Sequence, residues 1–162
     1  MTSGRASSAC GTETRIGIGG IRFSPELVQY TCRQAEPGDA SLPELLRLMA
    51  EDRINLSYFC SGREGELIDS TFCVAVADAA RVDRLLAGLA AGNGGVVAPA
   101  PVERIAGVGT LTVFPHRRSP ALLGRIVASL VEAGIAVHSL CTSISALAIN
   151  IAEHVALHEG LP

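Results

Sequence analysis

The apolar positions of this chain fall into a pattern that recurs. An offset of 81 residues carries Leu27 onto Val108, Leu42 onto Leu123, Leu45 onto Ile126, Leu46 onto Val127 and Met49 onto Leu130. The same offset carries Thr31 onto Thr112, Ile54 onto Ile135, Leu56 onto Val137, Phe59 onto Leu140 and Cys60 onto Cys141, with no gap. A match sustained over that span marks two copies of one supersecondary unit.

Each copy opens with a β-like run, residues 27–33 in the first and 109–114 in the second, mixing apolar residues with threonine. After a polar loop, Ser41 with Glu44 three residues later reads as a capping box that starts a helix. Leu42, Leu45, Leu46 and Met49 then recur at spacings of three and four, which lines them along one face, with Glu44, Arg47 and Glu51 elsewhere. The second copy repeats this with Leu122, Leu123, Ile126, Val127, Leu130 and Val131 and closes at Gly134. A second strand is predicted at 55–61 and 136–143, and a third at 71–77 and 146–152. The first hairpin has a polar connection at 62–66, whereas the second turns more tightly around Ile144 and Ser145. The first copy continues with a helix bearing Val82, Leu85, Leu86 and Leu89, a glycine-rich break at 92–95 and a fourth strand near 96–102.

The order β-α-β-β-α-β predicts an α+β protein built from two ferredoxin-like modules, each an antiparallel sheet with its helices on one face. The second copy runs out of chain after a helix-like stretch at 153–161, one strand short. Residues 15–23 have a strand-like pattern and are expected to supply that strand. The first module, 24–103, would then be inserted into a second made of 15–23 plus 104–162, with 1–14 as a disordered segment. Small modules with exposed sheet edges are expected to sit side by side and to dimerise.

Composition agrees with a packed globular protein: 48% of the 162 residues are hydrophobic. Thirteen basic residues against 16 acidic ones, with a net charge of -3 and no long run of either sign, give a polyanion nothing to bind, so no nucleic-acid partner is expected. The first residues lack a signal-like apolar core and no apolar stretch approaches membrane-spanning length, so a soluble, cytoplasmic protein with no membrane partner is expected.

Enzyme signatures are missing. Gly17, Gly19 and Gly20 begin a dinucleotide-like fingerprint, but Arg22 stands where the third glycine belongs and no helix follows. There is no Walker lysine, HExxH or GxSxG. Five cysteines, at 10, 32, 60, 73 and 141, form no CxxC, which argues against a zinc site or a disulfide framework. Cys32, Cys60, Cys73 and Cys141 lie in apolar stretches, where the thiol acts as a small buried hydrophobe. His138 and Cys141 are three apart on one strand and so face opposite sides, and His116 alone does not complete a metal site. No metal and no cofactor are expected.

One loop does suggest chemistry. Pro37, Gly38, Asp39 and Ala40 lead into a helix N-terminus, whose backbone N–H groups and positive dipole end suit a carboxylate such as that of an amino acid. Asp39 would receive the ammonium group, with Asn55, Ser57 and Ser61 supplying hydrogen bonds. The competing reading is that Asp39 and Ser41 simply cap the helix. In the second copy Ser119 caps its helix, and His116, Arg117 and Arg118 form a solvated basic loop. Thr142 and Ser143 either join a site or satisfy the backbone of a tight hairpin.

These residues resemble the paired ACT modules of aspartate kinases from about Arg15 onward. Gly107-Val108-Gly109, Arg117-Arg118-Ser119-Pro120 and Leu130-Val131-Glu132-Ala133-Gly134-Ile135 resemble the start, loop and helix end of that family's second ACT module. Thr142-Ser143 resembles its effector-responsive stretch after the second strand, and Ala156-Leu157-His158-Glu159 its terminal helix. Ile18-Gly19-Gly20-Ile21-Arg22-Phe23 looks like the strand linking the kinase to the regulatory half. Two features depart from the family: its Asp-x-Pro-Gly loop reads Glu36-Pro37-Gly38-Asp39, and Ala121 follows Pro120 in place of glycine. No kinase domain is expected in the residues before Arg15.

The resemblance implies a stand-alone, non-enzymatic regulatory protein, a homodimer, that binds a small amino acid, lysine or threonine by analogy, and reports its level to a separate kinase or another biosynthetic enzyme. The site set expected is Pro37, Gly38, Asp39, Ala40, Asn55, Ser57, Ser61, Ser119, Thr142 and Ser143. The alternative is a structural interaction module that binds no metabolite.

Overall fold

Alternation along the first strand puts Val28, Tyr30 and Cys32 on one face and Leu27 and Gln29 on the other, and all five are buried in the computed structural model. Both faces of this strand are therefore covered. The structure describes residues 18–34, 40–65, 67–92, 102–114, 119–143 and 146–152.

The elements, in order, are β1 (Gly20–Phe23), β2 (Leu27–Gln34), α1 (Ser41–Glu51), β3 (Tyr58–Glu64), β4 (Leu67–Ala75), α2 (Val76–Ala90), β5 (Val102–Phe114), α3 (Pro120–Glu132), β6 (Val137–Thr142) and β7 (Leu147–Ala152). The strands form one antiparallel sheet in the order β3-β4-β2-β5-β7-β6, with β1 also paired to β5. Strand β5 is shared. Its first part pairs with β2, from Val102↔Cys32 to Val108↔Leu27, and its last part pairs with β1, from Leu111↔Phe23 to Phe114↔Gly20. On its other edge it pairs with β7, from Val108↔Ala152 to Val113↔Leu147. Two four-stranded units result, β3-β4-β2-β5 and β6-β7-β5-β1, each with the strand order of a ferredoxin-like module.

Between Ile105, opposite Gln29, and Val108, opposite Leu27, β5 has two residues where β2 has one. Gly107, at φ 71, takes the left-handed conformation that such a bulge requires and that other residues resist. The bulge sits where β5 passes from the first unit to the second.

Each unit has its own core. In the first, α1 and α2 set Leu45, Met49, Ala79, Val82 and Leu89 against Val28, Tyr30, Phe72 and Val74. Tyr30 stacks on Phe72 with centroids 5.3 Å apart, and its buried hydroxyl donates to Asp83 Oδ1 at 2.7 Å, tying α2 to the sheet. In the second, α3 sets Leu122 and Leu130 against Leu111, Val113, Leu147, Ile149 and Ile151.

The helix-free faces of the two units close on each other. A third cluster joins Leu27, Tyr58 and Cys73 of the first unit to Cys141 and Ala148 of the second, with Cys60 packed against it. Ser139 Oγ donates to Gln29 Oε1 at 3.3 Å, and Asn150 Nδ2 contacts Gln29 Oε1, Cys73 Sγ and Ser139 Oγ at 3.2, 3.1 and 2.9 Å. Thr110 Oγ1 donates to Asn150 Oδ1 at 2.7 Å. The units thus share β5 and fold together through their helix-free faces, where side-by-side sheets were expected.

Several boundaries differ from the sequence reading. The third strand gives way to α2 at Val76 with no intervening loop, so residues 76 and 77 are helical. The first hairpin is tighter than its polar residues suggest, because the strands run through Glu64 and resume at Leu67. The strand predicted near 96–102 starts at Val102 and continues to Phe114; residues 93–101 lie outside those described. The helix-like stretch at 153–161 and residues 1–17 also lie outside them.

Candidate functional site

The expected site centres on the start of α1. The helix forms because Leu42, Leu45 and Met49 bury one face against the sheet, while Arg47 bridges Glu44 and Glu51 along the exposed side. Its N-cap is Ala40, with no side-chain cap hydrogen bond; Ser41 is the first helical residue and fully buried, which corrects the expected capping box. The positive end of this helix is therefore not closed by a capping side chain at the N-cap. Glu44 in the first turn is held below the usual carboxylate range by its hydrogen bond to Arg47, so its charge is engaged within the helix. Pro37, Gly38 and Asp39 lie outside the described residues.

The other expected residues separate by height along the sheet. Ser61, in β3, is exposed, and its hydroxyl meets that of buried Ser70 at 3.0 Å. Asn55 and Ser57 are exposed too, but they follow the C-terminus of α1. An 11-residue helix puts roughly 16 Å between its ends, farther than one small amino acid reaches. Within a single unit, then, Asn55 and Ser57 cannot meet a ligand held by the loop before α1. Ser57 N–H donates to Cys73 O at 2.9 Å, which anchors the approach to β3.

The second unit repeats the arrangement. Ser119 is the N-cap of α3, its Oγ accepting from Leu122 N–H at 3.2 Å, with Pro120 as the first helical residue. Thr142 ends β6 and Ser143 follows it, both exposed. Ser143 binds the turn, accepting at Oγ from Ala146 N–H at 3.0 Å while its own N–H donates to Ala146 O at 2.8 Å. Since Leu147 pairs with both Thr142 and Val113, these residues lie at the end of the sheet from which β5 leads into α3. His116, Arg117, Arg118, Ile144 and Ser145 lie outside the described residues.

Sequence reasoning missed the buried polar surface between the units. Gln29, Thr110 and Asn150 are buried at 3%, 6% and 0% exposure, yet each sits on a strand face that alternation alone assigns to solvent. Tyr58 lies beside them, its hydroxyl buried without a hydrogen-bond partner and its pKa pushed up to about 12, mainly by burial. Burial likewise pushes Cys73 up to about 12 and Cys32 to about 11, so both remain thiols at neutral pH. Neither is a nucleophile there. Among the described residues, no three His, Cys, Asp or Glu side chains are grouped to hold a metal ion, and no helix is long and apolar enough to cross a membrane.

No protein-family model and no curated protein sequence matches the chain. Solved structures do. The ligand-free regulatory subunit of aspartate kinase from Thermus thermophilus superposes with a TM-score of 0.71 at 12% identity, over 87% of this chain and 92% of that one. A structure of aspartokinase α and β subunits gives 0.68 at 19% identity, over 85% and 89%. E. coli aspartokinase III in complex with lysine and aspartate gives 0.58 at 15% identity, over 83% of this chain and 29% of the longer enzyme. Over most of its length, this chain has the fold of the paired-ACT regulatory region of aspartate kinase.

Proposed function

We propose that the protein is a non-catalytic regulatory subunit that binds a small amino acid and passes its level to an enzyme of amino-acid metabolism. The observation that carries this reading is the fold shared with an aspartate kinase regulatory subunit across 87% of the chain. In this reading residues 24–103 form one ACT module, and 15–23 with 104–162 form the other. Lysine and threonine are the first ligands to test, lysine being present in the related aspartokinase III structure.

The ligand carboxylate would sit at the N-terminus of α1, whose N-cap residue is Ala40, with its ammonium group at Asp39 and Ser61 nearby. Asn55 and Ser57 enter from a second copy. When two β3 edges meet antiparallel, the start of one strand lies level with the end of the other, which sets Asn55 and Ser57 of one protomer beside the α1 N-terminus of its partner. Ser119, Thr142 and Ser143 form the equivalent set in the second unit. A ligand held between protomers shifts the population of two quaternary arrangements by its difference in affinity for them.

Calorimetric titration of the intact protein with each of the twenty amino acids tests the proposal, with Asp39→Ala as the informative variant. Loss of a charge-assisted contact weakens binding by roughly 1.5 to 3 kcal/mol, about ten- to a hundred-fold or somewhat more. A lower melting temperature with unchanged affinity would assign Asp39 to the helix start. No binding of any amino acid to the unmutated protein would favour an interaction module that works through its sheet edges alone.

A further inference from the structure

The two helix-free faces are copies of one another through the internal repeat, and they meet residue against equivalent residue. Tyr58 lies opposite Cys73 in the first unit as Ser139 lies opposite Asn150 in the second. Across the interface Asn150 Nδ2 reaches Cys73 Sγ at 3.1 Å, and Ser139 Oγ reaches Gln29 Oε1 at 3.3 Å. The third equivalent pair is Cys60 on β3 and Cys141 on β6, which belong to opposite edges of the sheet. Closure of the sheet on itself packs both against Leu27, Tyr58 and Cys73, with Cys60 near enough to Cys141 to raise its pKa. Both thiols are free and partly exposed, whereas Cys32 and Cys73 are fully buried.

We propose that Cys60 and Cys141 form a reversible disulfide that latches strands β3 and β6 together, made by exchange with a low-molecular-weight disulfide. The thiolate of one cysteine attacks a sulfur of the small disulfide, whose S–S bond breaks, giving a mixed disulfide and one small thiolate that takes up a proton. The thiolate of the other cysteine then attacks the protein-side sulfur of the mixed disulfide and expels the second small thiol. Two protein thiols are oxidised and one small disulfide is reduced to two thiols. The sulfurs must come together to about 2.05 Å, a movement of side chains on two strands that, among the described residues, each have one unpaired edge. Burial and the neighbouring Cys60 raise the pKa of Cys141, so the exchange is slow at neutral pH and quickens as pH rises. This latch rests on the meeting of the two faces and is independent of amino-acid binding.

The test uses the full chain, equilibrated in mixtures of oxidised and reduced glutathione at pH 8, alkylated, and mapped by mass spectrometry without reduction. The expected product is a monomer lighter by two hydrogens in which the Cys60 and Cys141 peptides are joined, with a melting temperature several degrees above that of the reduced form. Reduction should restore both mass and melting temperature. Cys60→Ser and Cys141→Ser should each abolish the linkage and the shift, and Cys10→Ser should preserve both. Recovery of Cys60 and Cys141 as separate glutathione adducts, a bridge to another cysteine or to a second chain, or a linked species that melts no higher than the reduced protein would overturn the proposal.

Discussion

Replacing Asn150 by alanine should loosen the contact between the two units more than any other single polar change. The side chain is fully buried, accepts from Thr110 at 2.7 Å, and offers its two amide hydrogens to three acceptors between 2.9 and 3.2 Å. Truncation removes three hydrogen bonds at once, each contributing about 1 kcal/mol net. It also leaves the Thr110 hydroxyl buried without its acceptor, which adds about 1 kcal/mol or more, whereas Gln29 Oε1 keeps the donation from Ser139. The expected loss is about 3 to 4 kcal/mol, a large share of the roughly 5 to 15 kcal/mol that stabilises a domain. Urea denaturation monitored by circular dichroism reads it as a shift in midpoint at unchanged slope. Adding Thr110→Val to the same chain removes the orphaned hydroxyl and should recover about 1 kcal/mol, a non-additivity that a double-mutant cycle isolates. A loss below about 1 kcal/mol for Asn150→Ala would mean that water reaches this surface and that the two faces are not sealed together.

The remaining predictions concern single positions and pH. Ser119→Ala removes the α3 cap and should lower stability by about 1 kcal/mol, measured by thermal or urea unfolding. Gly107→Ala meets no steric neighbour but forces φ 71 on a residue with a Cβ, so about 1 kcal/mol or more should be lost; an unchanged midpoint would place the strain elsewhere. Cys32 and Cys73 have pKa values raised from 9.0 to about 11 and about 12 by burial, so the unfolded chain ionises first as pH rises. Their contribution is complete below pH 9 and is lost progressively above it, and stability measured at pH 8, 9 and 10 should fall less steeply in Cys32→Ala than in the unmutated chain.

Much of the fold was legible because it is written in periodicity. The offset that carries Leu45 onto Ile126 and Met49 onto Leu130 reports two equivalent helices, one packed in each unit, and burial of Leu45, Met49 and Leu130 agrees. Boundaries were less legible where one apolar run serves two elements. Residues 71–77 read as a strand throughout because Ala75 and Val76 carry no turn residue to mark the change, although the chain there passes directly into α2. The long β5 was read as two strands, near 96–102 and at 109–114, whereas Gly107 makes a bulge within one continuous strand. The polar interface was hidden for a different reason. Gln29, Thr110, Ser139 and Asn150 alternate with apolar neighbours as solvent-facing residues do, and only contact with the other unit takes them out of water. Their lack of charge was the one available signal. The expected site was legible only as a set of chemical types: the helix between Ala40 and Asn55 was legible too, but the roughly 16 Å it puts between them was not set against the reach of one small ligand.

The pairing of β1 has a consequence for how the chain is made. Gly20 pairs with Phe114 and Phe23 with Leu111, so the first described strand finds its partner only after nearly a hundred further residues have been synthesised. By contrast, β3 and β4 meet across a short turn, as do β6 and β7, and β2 can join β4 as soon as α1 and the hairpin have emerged. Local pairs form first because they close short loops. A nascent chain should therefore pair β2, β3 and β4 early while β1 waits unpaired for β5, whose arrival completes the first unit and gives β1 its partner before β6 and β7 have been made.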